Sequence, residues 1–278
     1  MKTARWCLSP EPTRLWDLPI GQAPLAFLDL EMTGLDPKTD GIVQICVERV
    51  VGGEVRERLL SLVRPEGPDR ARHIHGIAPE ELAAAPPFGE LAEAVVAILR
   101  DAIIVAHGAD HDVAFLTKAM AGAGVPWSPD AYLDTLRLSR HTFALQSHRL
   151  AAIAAHLGIS QDVPHRADHD VKVLRTLFER LVQLLRPHNP RELWHVQHCR
   201  RTVRREVLEA AQRALAVGEP VHVRYRARRG IQEFGFCVRD VRADLDPPLV
   251  LGYLHRTRGR RELRADRIVT IETLPHDA

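Results

Sequence analysis

The stretch LAFLDLEMTG (residues 25–34) combines an apolar run with two carboxylates. Leu25 to Leu30 predicts a central strand buried on both faces, because such strands are near-continuously apolar. Side chains alternate along a strand, so Asp29 and Glu31 share the face of Phe27. Two carboxylates therefore emerge together at the C-terminal end of this strand, where ligand sites of α/β sheets tend to lie.

The residues around this strand predict a mixed α/β domain. Apolar patterns predict further strands at 42–50, 55–63, 103–106 and 132–134. Helical stripes predict one helix that begins near Pro87 and further helices at 112–121, 147–157 and 168–185. Three strands in a meander, followed by alternating helices and strands, indicate an α/β fold with a mixed sheet flanked by helices.

The C-terminal third differs in charge and pattern. Residues 186–278 hold 19 arginines, no lysine and 12 acidic residues, whereas residues 1–185 hold 19 basic and 24 acidic residues. An arginine-rich half is typical of a nucleic-acid partner, and equally of a solvated surface in a chain that favours arginine. A basic helix is predicted at 197–216, followed by short strands at 221–226, 231–238, 249–255 and 268–273.

These patterns divide the chain into four parts. They are an N-terminal extension (1–22), an α/β domain (23–185), a basic helical linker (186–217) and a small all-β domain (218–278). Neither a secretory segment nor an apolar run of about 20 residues is present, so we expect no membrane partner. Cys7, Cys46, Cys199 and Cys237 form no CxxC pair, which argues against a disulfide scaffold or zinc ribbon and predicts a cytoplasmic setting.

Two further acids occupy apolar faces. Asp112 and Asp170 each begin an otherwise apolar helical stripe. Each alone is explained by the helix macrodipole, which favours acids at a helix start. Together with the strand pair they would make four converging carboxylates, whose repulsion divalent cations relieve. An all-oxygen set favours Mg²⁺ or Mn²⁺, and two such ions suit phosphodiester hydrolysis.

Three motifs carry a family resemblance over roughly residues 25–185. FLDLEMTG (27–34), VAHGADHDVAFL (105–116) and HRADHD (165–170) resemble, in order, the motifs of DnaQ-like, DEDDh-type 3′–5′ exonucleases. The resemblance implies an RNase H-like fold and a two-metal mechanism that releases nucleoside 5′-monophosphates from a 3′ end. It also implies a single-stranded nucleic-acid substrate, with DNA expected over RNA, and a possible replication or repair partner.

The same resemblance assigns roles to individual residues. Asp29 would bridge both metals, and Glu31, Asp112 and Asp170 would complete the coordination. His165 would take the proton of the attacking water, as a histidine with a pKa of about 6.5 is suited to do. The residues implied to hold the terminal nucleotide are Thr33, Leu35 and His107.

The chain departs from the family pattern at three positions. Gly108 replaces the usual Asn and His111 the usual Phe, while Gln44 stands where many relatives have Glu. The string DLEMTGLD (29–36) is closer to oligoribonuclease than to proofreading subunits. An oligoribonuclease-like RNA exonuclease is therefore the alternative substrate class.

The C-terminal part resembles a WYL domain, a small SH3-like β-fold of nucleic-acid-associated regulators. LGYL (251–254) stands near the W-Y-L motif with Gly in place of Trp, and RELRADRI (261–268) is similar to its closing element. The resemblance implies phosphate or ligand contacts, and a basic surface on a packing domain is the alternative. The implied contact residues are Arg224, Arg239, Arg261 and Arg264.

Two rival functions remain at this point. The dipeptides His111-Asp112 and His169-Asp170 are also typical of HD-type metal phosphohydrolases, which are all-helical and use histidine ligands. The predicted strands and the Asp29/Glu31 pair argue against that class. The other rival is a catalytically inactive nuclease fold that serves as a nucleic-acid-binding regulator, although such a scaffold would be free to lose any of the acids.

Overall fold

A computed structural model describes residues 10, 14–159, 166–199, 202–228 and 230–274. The chain forms two compact units. The first comprises Met1–Ser139, Leu145–Val182 and Pro187–Gln197, and the second Arg140–Ala144, Gln183–Arg186 and His198–Ala278. Among the described residues, no helix combines the length and apolarity needed to cross a membrane.

The first unit is built on a five-stranded mixed sheet. The strands are β1 (Leu25–Met32), β2 (Ile42–Val51), β3 (Glu54–Leu62), β4 (Ile103–Ala106) and β5 (Leu133–Asp134). Their order is β3-β2-β1-β4-β5. β1 pairs antiparallel with β2 and parallel with β4, so it lies at the centre of the sheet as predicted.

Helices accompany this sheet along the chain. They are α1 (Arg14–Asp17), α2 (Arg72–His75), α3 (Pro79–Ala84), α4 (Phe88–Leu99), α5 (Ala109–Gly122), α6 (Thr135–Thr142), α7 (Leu150–Leu157), α8 (Ala167–Leu185) and α9 (Pro190–Gln197). The core joins β1, β2 and β4 to α4 and α5, with Leu28, Ile45, Phe115 and Leu116 fully buried. Their burial supplies the main favourable free energy of folding.

The second unit is an antiparallel sheet with one helix packed against it. The elements are α10 (Arg205–Val217), β6 (Val221–Ala227), β7 (Gly230–Arg242), β8 (Leu249–Leu254), β9 (Arg260–Arg264), a 3₁₀ turn (Ala265–Arg267) and β10 (Ile268–Thr273). The strand order is β10-β6-β7-β8-β9. Val207, Ala211 and Ala214 of α10 join Val223 and Phe236 in a single core.

The predicted fold class is confirmed, while some element boundaries differ. The mixed sheet excludes the all-helical HD-type reading, which is therefore wrong. The helix predicted at 197–216 begins only at Arg205, because the apolar stripe that packs on the sheet starts at Val207. Within the segment 186–217, Pro187–Gln197 belongs to the first compact unit and α10 to the second. The sequence patterns missed β9 and the helices α1, α2, α3, α6 and α9.

Candidate active site

Three carboxylates meet beside the central strand. Oxygen atoms of Asp29, Glu31 and Asp170 all lie within 4.8 Å of one another. Asp29 and Glu31 project from one face of β1, as the alternation of side chains predicts. Asp170 lies in the first turn of α8 and is separated from them by more than a hundred residues of sequence. The tertiary fold thus creates this cluster.

The fourth acid, Asp112, lies close enough to act on the cluster electrostatically. It stands in the first turn of α5, which follows β4, the parallel neighbour of β1. Its side chain is buried, and burial raises its pKa to about 8 against the opposing effect of backbone hydrogen bonds from Asp112 and Leu30. It does not belong to the set of three whose oxygens lie within 4.8 Å. The structure therefore groups all four predicted acids, with Asp112 on the periphery.

Burial and mutual repulsion disfavour the charged forms of these acids. Burial raises the pKa of Asp29 well above its ordinary value, and the charges of Asp112, Asp170 and Glu31 raise it further. Burial and the Asp170 charge raise the pKa of Glu31 to about 7, against the opposing charge of Arg166. Burial likewise raises the pKa of Asp112. Without a compensating cation, the cluster tends to hold protons.

A divalent cation fits this donor set. All four groups offer carboxylate oxygen, the ligand type of hard cations such as Mg²⁺ and Mn²⁺. A cation among them would replace repulsion by attraction and lower every one of the raised pKa values. Within the described ranges, Asp29, Glu31 and Asp170 form the one group of His, Cys, Asp or Glu side chains placed to share an ion.

Two hydrogen bonds hold the starts of the helices that carry Asp170 and Asp112. The Gln44 side-chain oxygen accepts from the backbone N–H of Ala167 at 3.1 Å, at the start of α8. The Asp134 carboxylate accepts from the backbone N–H of Gly108 at 2.9 Å, at the start of α5. Sequence reasoning assigned neither role. The available signal for Asp134 was an acid at the end of the short strand β5, which is buried.

Gly108 has a backbone conformation that both glycine and the family's usual Asn can adopt. Its φ of 82° lies in the left-handed region, which glycine adopts without steric cost. His111, the other departure in this motif, packs edge-on against Phe115 with ring centroids 5.0 Å apart. In the part of the chain that the structure describes, its buried Nε2 has no hydrogen-bond partner. His111 therefore fills the aromatic space that the family pattern assigns to Phe.

The three residues expected to hold the terminal nucleotide have different surroundings. Thr33 is buried, and its hydroxyl accepts from the Gly41 backbone N–H at 3.0 Å. Leu35 is 80% exposed. Both ring nitrogens of His107 are engaged, one with the Thr135 hydroxyl at 2.9 Å and the other with a backbone carbonyl. Leu35 is the one of these three that offers open apolar surface.

His165, the predicted base, lies outside the described residues. The residues that follow it, Arg166 and Ala167, lie at the start of α8. The role of His165 as the base therefore remains an expectation from the sequence.

Three of the four arginines expected to contact phosphates have a side-chain neighbour within the protein. Arg224 pairs with Glu233 at 2.7 Å, and Arg264 with Asp266 at 2.7 Å. The Arg239 guanidinium lies 5.0 Å from the centre of the Tyr253 ring. Arg261 is exposed. The WYL-like assignment of these residues stays a prediction.

Comparison with known proteins points in one direction. The family model described as RNase_T exonuclease matches residues 26–178. A PolC-type DNA polymerase III of Thermotoga maritima is 31% identical over 193 residues, which are 67% of this chain and 14% of that protein. The 3′-5′ exonuclease DinG of Staphylococcus epidermidis is 32% identical over 172 residues, 59% of this chain and 19% of that one. The chain thus spans less than a fifth of these two relatives.

Solved structures support the same fold. E. coli Exonuclease I in complex with a dT13 oligonucleotide matches with a TM-score of 0.55 and 15% identity. The match covers 91% of this chain and 66% of that chain. At this identity the likeness shows the fold, and the chemistry rests on the carboxylates described above.

Proposed function

The chain belongs to the exonuclease family, as its three motifs predicted, and from this premise we propose that it is a two-metal 3′–5′ exonuclease. It would hydrolyse single-stranded nucleic acid, DNA in preference to RNA, and release nucleoside 5′-monophosphates. The observation that carries the proposal is the meeting of Asp29, Glu31 and Asp170 within 4.8 Å. Such a group of acids is costly to bury unless it binds cations.

The acids would hold two Mg²⁺ or Mn²⁺ ions, with Asp29 shared and Glu31, Asp112 and Asp170 completing the ligands. When bound, such ions stabilise the attacking and leaving oxygens of a phosphodiester displacement. Gln44 and Asp134 keep the helices that carry Asp170 and Asp112 in place through the backbone bonds already described.

His165 would supply the base of the reaction. Its imidazole accepts a proton from the attacking water as the water oxygen bonds to phosphorus. The bond between phosphorus and the 3′ oxygen breaks, and the 3′ oxygen takes a proton from solvent. Atoms and charge then balance, and the product is a nucleoside 5′-monophosphate.

The preference for a single strand is supported by the exposed side chain of Leu35. It follows β1 by three residues, near the strand end that carries Glu31, so a terminal base could pack against it. Leucine acts on bases as an apolar wedge, which requires the base to be unstacked from its neighbour. The dT13 complex of the structurally similar Exonuclease I favours DNA in this proposal. An oligoribonuclease-like RNA preference is the alternative.

The surroundings of the reaction form part of the proposal. Cys46, Cys199 and Cys237 are free thiols, which suits a reducing cytoplasmic setting. The likeness to a PolC-type polymerase supports a replication or repair partner.

The test is a time course on 5′-labelled DNA and RNA single strands of one sequence. Wild type is compared with Asp29→Asn in Mg²⁺, Mn²⁺ or EDTA. Asp130→Asn is the matched control, because Asp130 is exposed and lies outside the acid cluster. We expect a ladder that shortens from the 3′ end, needs metal, survives in the control and is lost in Asp29→Asn.

The sugar that is degraded faster decides between the DNA and RNA readings. Degradation that continues in EDTA or in Asp29→Asn would contradict the two-metal proposal. A folded wild type that degrades neither strand in any metal would favour the inactive regulator instead.

A further inference from the structure

The second unit contains a cavity of about 310 Å³ that no motif predicted. None of the four active-site acids lines this cavity, so it is distinct from the candidate active site. Its charged lining residues are Arg140, Arg226, Arg228, Arg264, Arg267 and Asp266. Five arginines and one acid thus line a space of ligand size.

The single acid is already neutralised. Arg264 donates two hydrogen bonds to the Asp266 carboxylate, at 3.0 and 2.7 Å. The Asp266 side chain is 4% exposed, so its charge is taken up within the pair. Arg226 donates to the backbone carbonyl of Asp266 at 3.0 Å, which orients it without compensating its charge.

The other arginines have no such compensation. Among the described residues, no hydrogen bond or ion pair involves the guanidinium groups of Arg140, Arg228 and Arg267. Burial lowers the pKa of Arg226, Asp266 opposes this change, and the charge of Arg267 adds to it. Burial and the charges of Arg226 and Arg267 also lower the pKa of His141 in the same cavity. The lining carries an excess of positive charge that an anion would balance.

The wall of the cavity is tightly built. A Cβ on Gly230 would lie 3.0 Å from the Thr142 carbonyl oxygen and 3.1 Å from the Ala144 nitrogen. The start of β7 therefore packs directly against residues 140–144, which carry Arg140 and His141. This close backbone approach keeps Arg140 near the strand that carries Arg226.

We propose that this cavity binds the phosphate group of a nucleotide, either free or within a strand. Arginine presents a planar fork of donors that matches phosphate oxygens, and several such forks converge here. Small-molecule pockets start at about 300 Å³, so the space suits one nucleotide unit. Of the four arginines that the sequence predicted to contact phosphates, only Arg264 lines the cavity, where it pairs with Asp266.

Cys199 is a built-in reporter for this site. It is an exposed free thiol that lines the cavity, and its Sγ lies 3.5 Å from His141 Nε2. A ligand among the arginines would shield it. We would measure alkylation of Cys199 by iodoacetamide in the full chain, read by peptide mass spectrometry. EDTA is kept present, so that hydrolysis plays no part and the outcome does not depend on the proposed exonuclease activity.

The probes are dTMP, a dT6 strand and thymidine, which lacks phosphate. We expect dTMP or dT6 to slow Cys199 alkylation several-fold and thymidine to have no effect. Protection at a lower concentration of dT6 than of dTMP would assign a strand, and the reverse order would assign a free nucleotide. If neither phosphate probe protects Cys199, or if thymidine protects it equally, the phosphate site is refuted.

Two variants separate a built site from general positive charge. Arg228→Gln and Arg256→Gln each remove one charge from an exposed arginine of the second unit, and Arg256 does not line the cavity. We expect Arg228→Gln to raise about tenfold the concentration of dTMP or dT6 that protects Cys199, because the variant loses one charge-assisted hydrogen bond. Arg256→Gln should leave it unchanged, and an equal effect of the two variants would overturn the proposal. Matching far-UV spectra exclude misfolding.

Discussion

The Gln44 side-chain oxygen accepts a hydrogen bond from the backbone N–H of Ala167 at 3.1 Å. Gln44 also lies opposite Glu31 in the antiparallel pairing of β1 and β2. One neutral, buried amide therefore sits beside one acid of the cluster and holds the start of the helix that carries another, Asp170. A carboxylate at this position would add a further negative charge to groups that already repel one another.

Replacing Gln44 tests this positioning role. In Gln44→Leu the start of α8 loses its acceptor, so we expect the Mn²⁺ concentration for half-maximal nuclease activity to rise by about 10- to 100-fold, as for other residues that orient metal ligands. Gln44→Glu keeps an acceptor oxygen and should restore most of the affinity. A purely structural role would lower thermal stability and leave the metal requirement unchanged.

Neutralising a buried acid should stabilise the metal-free protein while it abolishes activity. Burial and the charges of Asp134 and Glu31 disfavour ionised Asp112, and Asp112→Asn removes that cost. We expect a higher melting temperature in EDTA and a loss of nuclease activity of at least about a hundredfold, typical for removal of one group that stabilises the transition state. Thermal melts and strand degradation are measured together, with Asp130→Asn as control. A lower melting temperature in EDTA would contradict the repulsion argument.

The pH dependence of metal-free stability follows from Glu31. Its pKa rises from 4.5 to about 7 on folding, so between these values the folded state binds more protons than the unfolded state. Stability contributed by this group is therefore present at low pH and is lost as the pH rises through about 7. Urea unfolding in EDTA at pH 5.5 and pH 8 should show the decrease, and Glu31→Gln should reduce it. Stability that increases over this interval in wild type but not in the variant would refute the raised pKa.

Added Mn²⁺ should reduce this loss of stability at high pH. Because protons and cations compete for the same carboxylates, the rise in melting temperature on adding Mn²⁺ is expected to be larger at pH 8 than at pH 5.5. The Asp29→Asn variant should show a much smaller rise at both values. An equal rise in Asp29→Asn would place the stabilising ion elsewhere.

Gly252 tests the packing of the second unit. A Cβ there would lie 2.0 Å from the Cys237 carbonyl oxygen and 2.8 Å from the Phe236 ring, so the sheet must shift to admit even a methyl group. We expect Gly252→Ala to destabilise the protein by about 1–3 kcal/mol, as overpacking does. Gly259→Ala is the control, because its Cβ would make ordinary contacts starting at 3.6 Å. Urea unfolding of both variants provides the measurement.

The same contact leaves no room for a tryptophan at position 252, where the WYL motif would place one. Gly252 faces β7 so closely that no larger residue fits in this arrangement of strands. A chain with tryptophan at this position would need a different backbone path at β7.

The sequence pattern predicted those features that depend only on neighbouring residues along the chain. The apolar run and strict alternation of residues 25–31 determined that Asp29 and Glu31 share a face of the central strand, and the structure confirms it. The boundaries of β4 were likewise predictable, because four buried apolar residues in succession leave little choice. The convergence of Asp112 and Asp170 on this strand was predicted from the family motifs. Helical periodicity alone shows which face of a helix is apolar, and it does not show what that face packs against.

Tertiary structure decided what depends on contacts between distant segments. The bond from Ala167 to Gln44 spans 123 residues, and the bond from Gly108 to Asp134 spans 26. The arginine cavity joins residues 140–141 to strands more than eighty residues later. The sequence by itself determined which residues carry chemistry and which face of β1 they occupy, because side-chain alternation is a property of the local backbone. Strand order and helix packing alone decided how the acids meet and where the arginines gather, because those distances are set by the burial of the whole core.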